Sequence, residues 1–159
     1  MTIYEIINSS LLIIVPIYIA NSVPVLVKGK RPIDFKKLFI DGKRIFGDGK
    51  TIEGFLSGLI FGTIAGAIVY NIFYGFILSL GALLGDLFGA FIKRRLGLPR
   101  GHPFPLLDQL DFVFGALLLF SLFHQIIIEQ VLFIILITPP IHLISNFFAY
   151  LLKLKPNPW

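Results

Sequence analysis

The stretch FLSGLIFGTIAGAIVYNIFYGFILSLGALLGDLFGAFI, Phe55 to Ile92, decides the fold. It is apolar and glycine-rich, and Asp86 is its one charged residue. A membrane-crossing helix needs about 20 residues, so this run is too long for one span and reads as two. The break falls near Tyr70-Asn71-Ile72-Phe73-Tyr74-Gly75, where polar and turn-forming residues interrupt it. A carboxylate inside such a run costs a few kcal/mol or more and is kept when it faces a polar cavity or a cation. Asp86 is therefore the first candidate functional residue.

Outward from this stretch the same reading continues. Ile6–Val27 fits one span, Phe112–Ile128 a fourth, and Val131–Leu152 a fifth with a kink expected at Pro139-Pro140. With 56% hydrophobic and 14% charged residues, no ordinary soluble domain fits this composition. Residues 1–159 read as a single all-α domain, a polytopic membrane protein of five transmembrane helices and two loops. The first stretch lacks a basic start and a small-residue cleavage site, so it is expected to be a retained span rather than a signal peptide. The absence of cysteine excludes thiolate metal sites, disulfides and cysteine nucleophiles.

The net charge of +5 is explained by topology and needs no nucleic-acid partner. Lys28–Lys50 holds eight Lys/Arg, Lys93–Arg100 four, and the tail Lys153 and Lys155, which accounts for all 14. The other ends of the spans hold none. The positive-inside rule then puts the N-terminus outside and both basic loops and the C-terminus in the cytosol of a multi-pass cell-membrane protein.

Glycines recur every four residues at Gly54, Gly58, Gly62 and Gly66, and again at Gly81, Gly85 and Gly89. Small residues at this spacing let helix backbones approach in lipid. They are expected to bring Asp86 close to the second helix, near the end of the first loop.

Asp86 precedes Lys93 by seven residues, close to two turns, so both point to one side of a helix. Asp108 and Asp111, three apart, share a face at the start of the fourth span. Taken singly, Asp108 could cap that helix and Asp111 could complement its dipole. Neither account covers Asp86. Three carboxylates without His or Cys suit a hard cation such as Mg²⁺, which shares oxygen ligands with substrate phosphates. Of the basic cluster Lys93-Arg94-Arg95, Lys93 is expected to contact phosphate and Arg95 to anchor at lipid headgroups.

The first loop, Asp41-Gly42-Lys43-Arg44-Ile45-Phe46-Gly47-Asp48-Gly49-Lys50-Thr51, has glycines on both sides of Asp48 and a Lys-Thr pair at a helix start. Backbone donors, a lysine and a hydroxyl there suit a phosphate. It is not a Walker A loop, because the G-x-x-x-x-G-K spacing is missing. Asn21 and Pro24 make a polar break near the end of span one and are expected on the lipid side.

These motifs, in order, resemble one family. Asn21-Ser22-Val23-Pro24, Pro32-Ile33-Asp34, Asp41-Gly42-Lys43-Arg44, Gly47-Asp48-Gly49-Lys50-Thr51, Gly85-Asp86, Lys93-Arg94 and Asp108-Gln109-Leu110-Asp111 are similar to the archaeal CDP-archaeol synthases, relatives of the CDP-diacylglycerol synthases. The similarity runs from about Ala20 to Phe114. It implies a membrane cytidylyltransferase joining CTP to an archaeal isoprenoid ether-lipid phosphate, 2,3-bis-O-(geranylgeranyl)-sn-glycerol 1-phosphate. It further implies Mg²⁺ held by Asp86, Asp108 and Asp111, with Lys93 and Arg94 on phosphates and Lys43, Arg44, Asp48, Lys50 and Thr51 holding CTP. A CDP-alcohol phosphotransferase is disfavoured, because Asp41-Gly42 is followed by Lys43-Arg44 and not by that family's signature. The alternative from another class is a small ion-coupled transporter with Asp86 as its ion site, a reading weakened by the lack of a clear internal repeat.

Overall fold

The computed structural model describes residues 2–155 and 157. Five helices follow one another: α1 (Ile3–Val27), α2 (Ile52–Val69), α3 (Ile72–Arg95), α4 (Leu107–Ser121) and α5 (Ile128–Leu151). The break in the long apolar run lies at Tyr70 and Asn71, and Asn71 starts α3 by accepting from the Tyr74 amide at 2.8 Å. Among the described residues there are no strands, only two isolated bridges inside the first loop, Pro32 to Thr51 and Leu38 to Arg44.

Four helices, α1, α2, α3 and α5, are long and apolar enough to cross a membrane. The expected fourth span is displaced. It begins at Leu107, not Phe112, and ends at Ser121 after 15 residues, about 22 Å of helix. Turn bonds from Phe123 and His124 to the Phe120 carbonyl carry the chain onward. There Phe123 packs on Phe73, and His124 on Tyr70 and Tyr74, at the α2–α3 turn. The displacement follows from Asp108 and Asp111. They sit inside the helix, where sequence alone puts the apolar run's edge.

The glycine stripes do different jobs. On α2, Gly54 and Gly58 face Pro24, and Gly62 and Gly66 face Pro16, while Gly58, Gly62 and Gly66 also meet Leu83, Ser79 and Gly75, so this stripe seats α1 and α3 together. The residues offset by half a turn, Leu56, Ile60, Ile64 and Ile68, are half exposed or more. Small residues inward and large apolar ones outward is the pattern of a helix packed in lipid. The α3 stripe meets α4 rather than α2. A Cβ at Gly81 would lie 2.7 Å from the Ala116 Cα, and one at Gly85 would run into the Asp111 carbonyl. The core is filled by side chains of α1, α3, α4 and α5, among them Ile17, Leu78, Val113, Phe120 and Ile134. Proline removes an amide from the helix ladder, yet α5 runs as one helix through Pro139 and Pro140. It is fastened to α1 by Tyr18 Oη donating to Thr138 Oγ1 at 2.9 Å and Gln130 Nε2 donating to Ser9 Oγ at 2.8 Å.

Candidate active site

The close α3–α4 seam fixes the carboxylates. Gly85 and Gly89 of α3 leave room for Asp111 of α4, whose carboxylate occupies the space a Cβ at Gly89 would fill. Asp86 neighbours Gly85 on the same turn and points to the end of the first loop, where Lys50 Nζ donates to its Oδ2 at 2.5 Å. Both side chains are about a quarter exposed, 27% each. Burial by itself would lower the Lys50 pKa. The charges of Asp86, then Asp111 and Asp108, outweigh it and raise the value. One ammonium group thus lies in the field of all three carboxylates.

Lys93 takes a different partner from the one helix geometry implies. It lies on the expected face of α3, but its Nζ donates to both oxygens of Asp108 at 2.9 Å and to the His102 carbonyl at 2.6 Å. Lys50, arriving from the loop, takes the place beside Asp86. Asp108 also accepts from the Phe104 amide at 2.9 Å, so it does fasten the turn before α4. Asp111 Oδ1 accepts from the Phe112 amide at 2.6 Å. With the carboxylates engaged in this way, no three metal-type side chains cluster closely enough to hold an ion, among the described residues.

The first loop is organised by a residue absent from the candidates above. Asp34 is buried and accepts from Arg44 Nη2 at 2.6 Å, Arg44 Nε at 3.1 Å, and the amides of Lys36, Phe46 and Gly47. Burial would push its pKa up, but the Arg44 guanidinium and the three amides hold it well below the usual carboxylate range. Arg44 also binds Asp48 at 2.8 Å. Arg44 therefore builds the loop before it can touch any ligand. Thr51 caps α2 through the Gly54 amide at 3.2 Å. Local spacing does not announce Asp34; apart from the Lys36 amide, its partners lie ten to thirteen residues away.

Arg95 is not the lipid anchor expected of it. Its guanidinium lies between the Phe39 and Phe91 rings, 4.8 and 4.7 Å from their centroids. It donates to the Arg44 carbonyl at 2.5 Å and lies 3.2 Å from Asp41. With Lys43 Nζ on the Arg95 carbonyl at 2.9 Å, it fastens the loop to the end of α3. Asn21 is half-exposed, and Pro24 is a packing residue for the α2 glycines.

Between this loop and the second lies a cleft of about 340 Å³, lined by Lys43, Arg44, Gly47, Asp48, Arg94, Gly97, Leu98 and Arg100. Arg44 and Arg95 are engaged by Asp34, Asp48 and Asp41, whereas the buried Arg94 Nε has no hydrogen-bond partner among the described residues. Four cationic side chains, Lys43, Arg44, Arg94 and Arg100, line this cleft, a surface that suits a polyphosphate. The CarS-like CDP-archaeol synthase family matches the chain over residues 3–159. The chain belongs to the CDP-archaeol synthase family. A CDP-archaeol synthase of Pyrobaculum islandicum is 52% identical over 157 residues, covering 93% of this chain and 96% of that one. Another, of Pyrococcus abyssi, is 48% identical and covers 92% and 94%. A solved structure described as an intramembrane enzyme for archaeal membrane lipids biosynthesis superposes with a TM-score of 0.80 at 40% identity, over 85% of this chain and 90% of that one. As a CDP-archaeol synthase family member, the chain is a membrane-bound transferase of archaeal lipid biosynthesis, and the transporter alternative falls away.

Proposed function

We propose that the chain transfers the cytidylyl group of CTP to 2,3-bis-O-(geranylgeranyl)-sn-glycerol 1-phosphate, releasing pyrophosphate, with Mg²⁺ as cofactor and the site facing the cytosol. The observation that carries this reading is the contact of Lys50 with Asp86 at 2.5 Å, made by the same loop whose Lys43, Arg44, Gly47 and Asp48 line the Arg94 cleft. Asp86 and Asp108 are taken up by Lys50 and Lys93 here; freed from them, carboxylates would offer the all-oxygen donors that suit Mg²⁺. When bound, Mg²⁺ would neutralise phosphate charge and stabilise the leaving group. The cytosolic placement rests on the basic loops.

The chemistry follows from charge. A phosphate oxygen of the lipid attacks the α-phosphorus of CTP in line; the bond from that phosphorus to the bridging oxygen breaks, and pyrophosphate leaves with the electron pair. The attacking group is already an anion, so no strong base is needed. Two polyanions must meet, and fixed cations offset their repulsion. Arg94, Lys43 and Arg100 line the cleft for the triphosphate. Lys93, held by Asp108, and Lys50, held by Asp86, add two cations on the chain segments that lead to that cleft.

Purified protein given labelled CTP, Mg²⁺ and the lipid phosphate is expected to place label in the lipid phase with one pyrophosphate released per lipid. Label that stays in the aqueous phase under these conditions would overturn the assignment.

A further inference from the structure

On its inner face α5 carries a polar stripe at spacing four: Thr138, His142 and Asn146. Thr138 is used by Tyr18. His142 lies against the Phe112 ring, the residue after Asp111, with centroids 5.9 Å apart. Asn146 is buried, and its Nδ2 lies 3.2 Å from His142 Nδ1. The stripe thus leads along α5 toward the carboxylates.

Past α5 the chain turns back onto this stripe. The Leu154 amide bonds the Ala149 carbonyl at 2.9 Å, and the Lys153 amide bonds that of Tyr150, also at 2.9 Å. With Lys153 in the left-handed region at φ 57, these are the two bonds of a Schellman motif. The turn delivers Lys155, whose Nζ donates to Asn146 Oδ1 at 2.7 Å. Asn157 then lies against Gly101 of the second loop. Asn146, which holds Lys155, contacts His142, and His142 lies against the ring next to Asp111, so Lys155 borders the site. Burial, first, and the charges of Lys50 and Lys93 depress its pKa.

The cations around the site divide into two sets. Lys50, Lys93, Arg44 and Arg95 have carboxylate partners. Lys155 is held by a neutral amide. Next to it, an apolar groove of about 460 Å³ runs along the outer face of α5, lined by Ile141, Ile144, Phe148, Leu152 and Leu154 among others. Leu154, adjacent to Lys155, is part of that groove. A lipid phosphate is tethered to its chains, so its cation must sit beside an apolar surface and within reach of the carboxylates. The α5 side, with Leu154 of the groove beside Lys155 and His142 against Phe112 next to Asp111, meets both conditions.

We propose that Lys155, held by Asn146 on the inner face of α5, binds the phosphate of the lipid acceptor. This rests on the cytidylyl-transfer reading for its ligand. It assigns a substrate role to a residue that charge asymmetry alone would count as a topology anchor.

Lys155→Gln keeps a hydrogen-bond donor for Asn146 and removes the charge; Lys155→Arg keeps the charge. Loss of one charged hydrogen bond predicts a rise of about tenfold in the KM for lipid phosphate in Lys155→Gln, with the KM for CTP unchanged. Lys155→Arg should restore most of the loss. Binding of the lipid phosphate without CTP, followed by native mass spectrometry of the full chain, should weaken by about the same factor in Lys155→Gln. That second readout stands even where no turnover is seen, so failure of the reaction assignment and failure of the Lys155 assignment look different. Unchanged lipid-phosphate binding in Lys155→Gln would overturn the proposal, as would a rise confined to the KM for CTP.

Discussion

Along the α3–α4 seam the two backbones touch through glycines at 81, 85 and 115, the Asp111 side chain fills the space at Gly89, and among the described residues the polar contact is confined to one ion pair at its end, Lys93 with Asp108. The first loop is the reverse case. There Asp34, Arg44 and Arg95 form a polar scaffold, and the apolar contribution is small: Phe39 and Phe91 around one guanidinium. The seam sits where water is scarce and packing is the available force. The loop lies outside the spans, where its irregular backbone needs side-chain acceptors. The two meet at the contact of Lys50 with Asp86. The difference teaches a division of work. Seam residues set the spacing of the carboxylates, and loop residues shape the cationic cleft.

The largest break expected comes from Asp86→Asn. It removes a charge from the common carboxylate field and should cut turnover by about a thousandfold. The protein should remain folded in detergent, because the amide keeps the shape. Near wild-type incorporation of labelled CTP would show that the seam carboxylates are not part of the chemistry.

Gly85→Ala attacks the seam without touching charge. The new methyl runs into the Asp111 carbonyl, a backbone atom that cannot swing aside. Overpacking of this kind costs about 2 kcal/mol, measurable as a lowered unfolding midpoint, with kcat falling alongside. The control is Gly42→Ala in the loop, where no atom lies within 4 Å and only the φ of 72° resists the change. Equal loss of kcat in both variants would erase the distinction between seam and loop.

Arg94→Ala should act on the cleft side. Its place in the cleft wall, with Nε unpartnered among the described residues, predicts a rise of about tenfold in the KM for CTP, and a smaller effect on kcat. A large fall in kcat with KM unchanged would move Arg94 to the chemical step.

The smallest effect expected is that of pH on loop docking. Asp34 has a depressed pKa, so its contribution is present above its ordinary value of 3.8 and fades as pH falls through the lower folded value. Lys50 has a raised pKa, so its contribution is present below its ordinary value of 10.5 and fades as pH rises through the higher folded value. Both contributions are whole between about pH 5 and 9. Limited proteolysis of the loop should therefore give the same rate at both ends of that window. Faster cleavage at either end would mean another group controls docking.

Much of this architecture is legible in the sequence because lipid imposes simple rules. Span length and the break at Asn71 follow from apolar runs, and the glycine spacing announces close packing. The partner of each stripe does not follow, because two stripes of equal spacing carry no label for the helix they meet. Asp86, Asp108 and Asp111 stand out by the cost of charge near lipid. The pairing of Lys93 with Asp108 is hidden, since helix geometry gives the face of Lys93 but not the arrival of Lys50 from the loop. Asp34 is hidden for a similar reason: its five donors come from a fold of the loop that has no period. The stripe Thr138, His142 and Asn146 is different. Three polar residues at spacing four on an apolar helix are visible in the sequence as a buried polar face.

Cation binding by the carboxylates tests the division between seam and loop most directly. Mn²⁺ is titrated into the full chain in the presence of CTP and followed by electron paramagnetic resonance, for the wild type and for the variant carrying Asp86→Asn, Asp108→Asn and Asp111→Asn together. The wild type should bind the ion with the loss of free signal, and the triple variant should leave the ion as free as CTP alone does. Equal binding by both proteins would contradict a cation site built on the α3–α4 seam.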